Sequence, residues 1–479
     1  MDASIIRNAG FADANREDWL ALVAKALGEK SFDGVMISRS DDGLAIEALR
    51  ERIRNRPAIG RAGDQPGWRV IQRVDDRDTA RAARQAQDDM DNGADGVSIV
   101  FEGAPNAFGL GIPATKDALS AVLEALPLGR THLRVDVHPA SRATVDWLVE
   151  ILTRRRVDPA KLSLSCGIDP AALFAGTGRL RMSIEALEAS LPQSLAHYFA
   201  MGLPGVLIEA DGRVYHNAGA TEAQELGGML ASAVSYLRMF EEARQPLVYA
   251  APHIGFSLSV DQDQLMSMAK IRALRILWAR VQEACSIEAS PCAIHAETSY
   301  RMMTLKDPET NILRSTIAAF AAAAGGADSI AVLPHTIAHG LPDGFARRIA
   351  RNTQLILQHE SHSGFVTDPG AGSGSIETLT DELCASAWEE FQRIEVEGGV
   401  LASLAAGHIQ DRVEAAAARR TELYRSGERA IIGTTLFPAA EERPVKVLDG
   451  KRDAPVEDGA ASCRPLPPRR IDEAIEASA

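Results

Sequence analysis

Apolar residues recur along this chain in two rhythms. Short runs rich in β-branched residues stand at 68–74 (WRVIQRV), 96–101 (GVSIVF), 132–137 (HLRVDV), 162–167 (LSLSCG), 205–210 (GVLIEA), 246–251 (PLVYAA), 292–298 (CAIHAET) and 329–334 (SIAVLP). Between them lie segments with apolar positions three and four apart, such as KDALSAVLEALPLG, SRATVDWLVEILTRR and DQDQLMSMAKIRALRILWARVQEA, the spacing of amphipathic helices. Strands alternating with helices imply parallel strands joined by right-handed crossovers. Eight such units predict an α/β chain closed as a (β/α)₈ barrel; an open doubly wound sheet is the competing arrangement.

The flanking segments follow other patterns. Residues 15–30 carry a helical spacing with Asn15 as N-cap, and the polar, Pro/Gly-containing stretch after them completes an N-terminal arm, 1–67. The barrel is expected over 68–360 and a helical extension over 361–439. Residues 440–479, rich in Pro, Ala and charge, show no core pattern and are expected as a mobile tail or an arm that wraps a partner.

Composition narrows the function. A net charge of −14 argues against a general polyanion binder, so no nucleic-acid partner is expected. No apolar run reaches the length of a membrane span, and the N-terminus lacks the basic and apolar regions of a secretion signal. The five cysteines are scattered without CxxC spacing, as reduced cytoplasmic thiols would be.

The most conspicuous motif is DPGAGSGS, with glycines at 370, 372 and 374. Such loops can cradle phosphates. This one follows a segment broken by Pro369 and lacks the Lys-Ser/Thr ending of a P-loop; most Gly/Ser turns leading into helices bind nothing.

Its neighbourhood is more specific. Arg348 to Gln354 (RIARNTQ), Glu360, Asp368, Pro369 and Ala371 to Ser373 resemble the signature of the methylmalonyl-CoA mutase family. RVYHNAGATEAQEL (213–226), MAKIRALRILWARV (268–281), TSYRMMTLKDPETNILRST (298–316) and LPDGFARRIARN (341–352) are similar to further family blocks. The resemblance covers most of 68–435. It implies a (β/α)₈ barrel holding acyl-CoA along its axis, capped in the family by a flavodoxin-like domain that binds adenosylcobalamin.

The resemblance also locates departures. The family's thioester-binding histidine corresponds to His216 and the tyrosine before it to Tyr215, both retained. The wedge tyrosine of the first strand corresponds to Arg73, and the substrate-contacting glutamine after the fourth strand to Gly167. The carboxylate-binding arginine falls near Thr177. The glutamine before Asp307 corresponds to Lys306, which, if buried, would bring an amine to the site. The cobalt-ligating Asp-x-His-x-x-Gly has one near-match, Asp136 and His138 with Ser141 in place of glycine, in the third barrel strand. No metal or cobalamin ligand is therefore expected on this chain, and Tyr215 and His216 are read as vestigial, without a catalytic role. Together these features resemble a small, non-catalytic subunit of a heterodimeric methylmalonyl-CoA mutase, whose large subunit would bind substrate and adenosylcobalamin. Two alternatives stay open: an isobutyryl-CoA-type mutase core borrowing a separate cobalamin-binding subunit, and a stand-alone CoA-binding or regulatory barrel. Whether acyl-CoA still enters is open at this level.

Overall fold

The structure is a computed structural model describing residues 15–63, 67–452 and 459–476. Eight parallel strands form its centre: β1 (Arg69–Val74), β2 (Gly96–Ile99), β3 (His132–Val135), β4 (Ser163–Ser165), β5 (Ile208–Asp211), β6 (Ile254–Val260), β7 (Ile294–Thr298) and β8 (Ser329–Ala331). They hydrogen-bond in the order β4-β3-β2-β1-β8-β7-β6-β5. A parallel bridge between Ser165 and Val206 joins the two ends, with the Cys166 N–H donating to the Val206 carbonyl at 2.8 Å. The sheet is thus a closed barrel, and the open alternative is excluded.

The crossover helices begin where the sequence supplies caps. Asp78 accepts from the Arg81 N–H at the start of α1 (Thr79–Asp91), and Thr115 caps α2 (Lys116–Glu124) in the same way. Next come α3 (Ser141–Arg155), α4 (Pro170–Thr177), α5 (Ile184–Ala200) and the short α6 (Arg213–Ala218). Thr221 and Gln224 form a reciprocal capping box on α7 (Glu222–Glu242). The outer ring finishes with α8 (Gln264–Ala284), α9 (Thr310–Gly325) and α10 (Gly344–His359). After the ring, α11 (Gly374–Val396) packs on α7 and α8, followed by α12 (Val400–Ala406) and α13 (His408–Arg425).

Seven of the eight expected strand positions hold a strand. The exception is 246–251, where Leu247–Ala250 form a helical turn and Ala251–His253 a 3₁₀ turn. Pro246 and Pro252 fix φ at the starts of these turns, and Val248 and Tyr249 remain exposed. The sixth strand is instead IGFSLSV, buried throughout. Its inward positions carry Ser257 and Ser259, which hid it among polar residues.

The glycine loop holds the N-terminal arm. The Ile53 N–H donates to the Gly372 carbonyl at 3.2 Å and the Ile59 N–H to Asp368 at 2.9 Å. A Cβ on Gly374 would collide with the carbonyl of Glu51, so glycine is required there for the arm's close approach. Glu377 turns back to accept from the Gly372 N–H at 2.9 Å. The start of α11 is therefore occupied by this chain's own backbone and carboxylate, and the loop has no phosphate cradle.

The segment after 440, expected as a mobile tail or an arm that wraps a partner, is laid over the barrel mouth where it is described. Val447–Asp449 pair with Leu341–Pro342, and Ala461–Ser462 with Arg179–Leu180. Asp472 is fully buried and accepts from the Leu305 N–H at 2.8 Å. Backbone pairing and one buried cap hold it there without a hydrophobic periodicity, which is why the sequence pattern missed it.

Candidate functional site

Alternate residues of a barrel strand point to the axis, so side chains two apart share the interior. In β3 these are His132 and Arg134, with Asp136 just beyond; in β5, Glu209 and Asp211; in β7, His295 and Glu297; in β1, Arg73. All are buried. They meet across the axis. Arg73 donates to Glu297 at 2.8 Å. Arg134 grips Glu209 with two bonds, 2.5 and 2.7 Å. Arg213, at the start of α6, bonds Asp211 at 2.6 and 2.9 Å and Asp136 at 2.8 Å, and lies 3.3 Å from Glu297. Asp75 completes the set, receiving Arg347 from α10 at 2.6 Å.

Burial alone would raise the Asp136 carboxyl; the Arg213, Arg134 and Arg73 guanidiniums outweigh it and hold the group well below the usual carboxylate range. The interior is thus a paired ionic core. Groups from β1, β3, β5 and β7 bond one another where a ligand along the axis would lie.

Above this layer the axis is roofed. The Phe108 and Tyr300 rings stack at 4.2 Å and 8°, the Arg73 guanidinium sits 5.3 Å over Phe108, and Lys451 of the tail donates to the Tyr300 hydroxyl at 2.5 Å. Below it, His132 and His295 bond Ser163 and Ser329, each at 2.8 Å. Burial, with Arg69 and Arg134 adding, pushes the His132 imidazole down to about 3. In the unfolded chain it titrates near ~6.5. Between these values the unfolded state binds more protons, so stability is full at neutral pH and falls as pH drops below 6.5. The contribution lost by pH 5 is about 2 kcal/mol. His132→Asn is therefore expected to shrink the difference in unfolding free energy between pH 7 and pH 5 by that amount in urea titrations. An equal difference in both proteins would refute it.

The expected site residues separate in space. Tyr215 and His216 lie on α6, both buried. His216 has both ring nitrogens engaged, Nε2 with Ser299 Oγ at 2.9 Å and Nδ1 with Glu225 at 3.1 Å. Burial and the Arg301, Lys270 and Arg420 charges hold it neutral, far below its ordinary value. It has no free N–H for a thioester. His216, Glu222 and Glu225 are close enough to suggest a cation site, but the Lys270 ammonium bonds both carboxylates. A protein cation already fills that position.

Arg73 stands in the ionic core. Gly167, two residues past β4, lies so close to the backbone of Val135, Asp136 and Val137 that a Cβ would sit inside van der Waals contact with all three. Thr177 closes α4, its hydroxyl bonding the Leu173 carbonyl at 2.7 Å. Lys306 is exposed, so its amine is not the buried one that would have altered the site chemistry. His138 is enclosed, its ring tilted 36° against Phe101 at 4.4 Å, with Nε2 on Thr144 at 3.0 Å and Nδ1 accepting from the Ala140 N–H at 3.3 Å. It does not fit a cobalt ligand.

Arg134, Glu209, Arg213 and Glu297 escaped the sequence reading. Their signal was present: a charge inside or ending a buried strand-like run, as in HLRVDV and CAIHAET, has to find a partner within the barrel.

A family profile described as methylmalonyl-CoA mutase matches residues 65–473. The methylmalonyl-CoA mutase small subunit of Streptomyces virginiae is 34% identical over 490 residues, covering 98% of this chain and 76% of the relative. The small subunit of Propionibacterium freudenreichii subsp. shermanii is 32% identical over 395 residues, covering 81% of this chain and 59% of the relative. The S. virginiae large subunit is 32% identical over 268 residues, covering 55% of this chain and 36% of the relative. With the closed barrel and its retained signature, these matches establish that the chain belongs to the methylmalonyl-CoA mutase family.

Proposed function

We propose that this chain is a small, non-catalytic subunit of an adenosylcobalamin-dependent methylmalonyl-CoA mutase. It stabilises a large subunit that binds the cofactor and interconverts methylmalonyl-CoA and succinyl-CoA. The observation that carries this reading is the ionic core: Arg73, Arg134 and Arg213 bond carboxylates from facing strands along the axis, which leaves acyl-CoA no path there. The positions Arg73, Gly167, Thr177 and Lys306 are then degenerate, and Tyr215 and His216 are inherited packing residues. The reading divides the chain into an arm (1–67), a barrel (68–360), a helical extension (361–439) and a tail (440–479). It places the heterodimer in the cytoplasm; among the described residues no helix is long and apolar enough to cross a membrane.

Cobalamin supplies radical chemistry when bound, and this chain's residues do not fit it: His138, the one histidine in a ligand-like motif, is enclosed and hydrogen-bonded. In the complex the cofactor belongs to the partner.

The test is co-expression with the large methylmalonyl-CoA mutase subunit of the same organism. Turnover of methylmalonyl-CoA with adenosylcobalamin is expected from the heterodimer and not from this chain alone. His216→Asn, scored per assembled heterodimer, is expected to leave turnover within about twofold of wild type, because a group away from the reacting atoms makes no bond specific to the transition state. Turnover by this chain with a separate cobalamin-binding protein would establish the borrowed-subunit alternative instead.

A further inference from the structure

On the outer ring, α5 passes the last turn of α7 and the residues just after it, leaving a groove of about 660 Å³. Its apolar lining is Ala189, Pro192, Ala196, Met239 and Ala243, of which Pro192 and Met239 are buried. Its rim carries Glu185, Glu188 and Glu242. Among the described residues none of the three forms an ion pair within the chain. On α7 the neighbouring Arg238 is turned to Glu395, and Arg244, beyond the helix end, bridges none of them. Burial pushes the Glu188 carboxyl up, and the Glu242 and Glu185 charges add to it. Glu188 and Glu242 are thus left as a crowded like-charge pair, unfavourable for the free chain, while Glu185 is held by Ser183 and a backbone N–H at the start of α5.

At Gln245 the groove continues into a second cavity of about 460 Å³ lined by Phe199, Leu203, Pro246, Tyr249 and His253. Here Val248 is 55% and Tyr249 71% exposed. Large apolar side chains left open beside a preformed cavity mark an interaction surface. From Glu185 to Phe199 the groove follows α5 for about 21 Å at 1.5 Å per residue, some four helical turns.

We propose that this groove receives an amphipathic helix of the large subunit, with apolar residues in the Phe199–Tyr249 cavity and lysines or arginines against the Glu185, Glu188 and Glu242 rim. The proposal rests on the small-subunit reading. The carboxylate rim selects a basic segment, the apolar end selects an amphipathic one, and the long α5 wall accepts a helix laid along it.

The test uses full-length chains. Wild type, the triple charge reversal E185K/E188K/E242K and the separate variant Tyr249→Ser are titrated against the purified large subunit by sedimentation velocity at low and high salt. The reversal is expected to weaken the heterodimer by roughly 100-fold at low salt, since like-charge juxtaposition across an interface is costly. Tyr249→Ser is expected to weaken it by about 10-fold or more at both salt concentrations, the loss of an aromatic anchor. The urea midpoint of free Tyr249→Ser is expected to match wild type, because its side chain is exposed; that of the reversal is expected to fall slightly, because Glu185 is a first-turn acid of α5, so binding is compared under conditions where each free chain is folded. If wild type binds the large subunit and the variants bind equally well, the groove proposal is overturned and the subunit reading stands. If wild type does not bind, the subunit reading falls and this proposal with it. If the groove variants instead abolish self-association of this chain, the occupant is a second copy and the proposal is wrong.

Discussion

Arg213→Ala is expected to destabilise the chain by about 3–5 kcal/mol, the cost of removing one partner from a buried ionic set. Arg213 is fully buried and serves Asp136, Asp211 and Glu297 at once. Without it three carboxylates crowd the axis, with Arg73 and Arg134 left to hold two of them. A typical domain has only ~5–15 kcal/mol of stability, so the variant should show a much lower urea midpoint and poor soluble yield. Arg213→Lys should recover only part of the loss, because a single ammonium cannot reproduce the forked bonds to Asp211 and Asp136. A midpoint equal to wild type would mean that water reaches the axis and screens the carboxylates, contradicting a filled barrel.

Gly167→Ala should cost about 3 kcal/mol or more, at the upper end of overpacking penalties. The added methyl would press on backbone atoms of Val135, Asp136 and Val137. Backbone of a neighbouring barrel strand cannot yield as a flexible side chain would. Gly167→Gln, which places the family's amide at this position, should be worse still. It should also fail to create acyl-CoA binding, because the axis remains crossed by Arg134 and Glu209. Urea unfolding of Gly167→Ala and calorimetric titration of Gly167→Gln with methylmalonyl-CoA check both statements. A stable glutamine variant that binds the thioester would overturn the reading of this strand end as closed.

These two positions also show how far sequence reasoning reached. Arg73 and Gly167 were recognisable as departures from a family pattern, and the alternation of strand and helix was enough for the barrel. The partners of Arg73 were not legible. Glu297 lies 224 residues away, and no local periodicity links them. The sixth strand was placed eight residues early because VYA in PLVYAA has stronger β propensity than the serine-bearing GFSLS. Inside a barrel, small polar residues are favoured where Ser257 must reach Glu209 at 2.9 Å, so tertiary context overrode propensity. Where the tail lies was not legible for a related reason. It joins the barrel mouth by backbone pairing and by the buried Asp472, neither of which leaves an apolar rhythm.

DPGAGSGS divides along the same line. Its glycines marked a place where backbone had to come close to something, and the resemblance marked the family. That the close partner is the arm at Glu51 and Ile53, and no phosphate, required the fold. By itself the sequence determined the parallel barrel, the family and the residues that depart from it, since these depend on local periodicity and on motif identity. Only the tertiary structure decided that one of them, Arg73, joins Arg134, Arg213 and their carboxylates to close the axis. That outcome depends on charges from β1, β3, β5 and β7, far apart along the chain, meeting in one desolvated layer where every arginine must find a carboxylate.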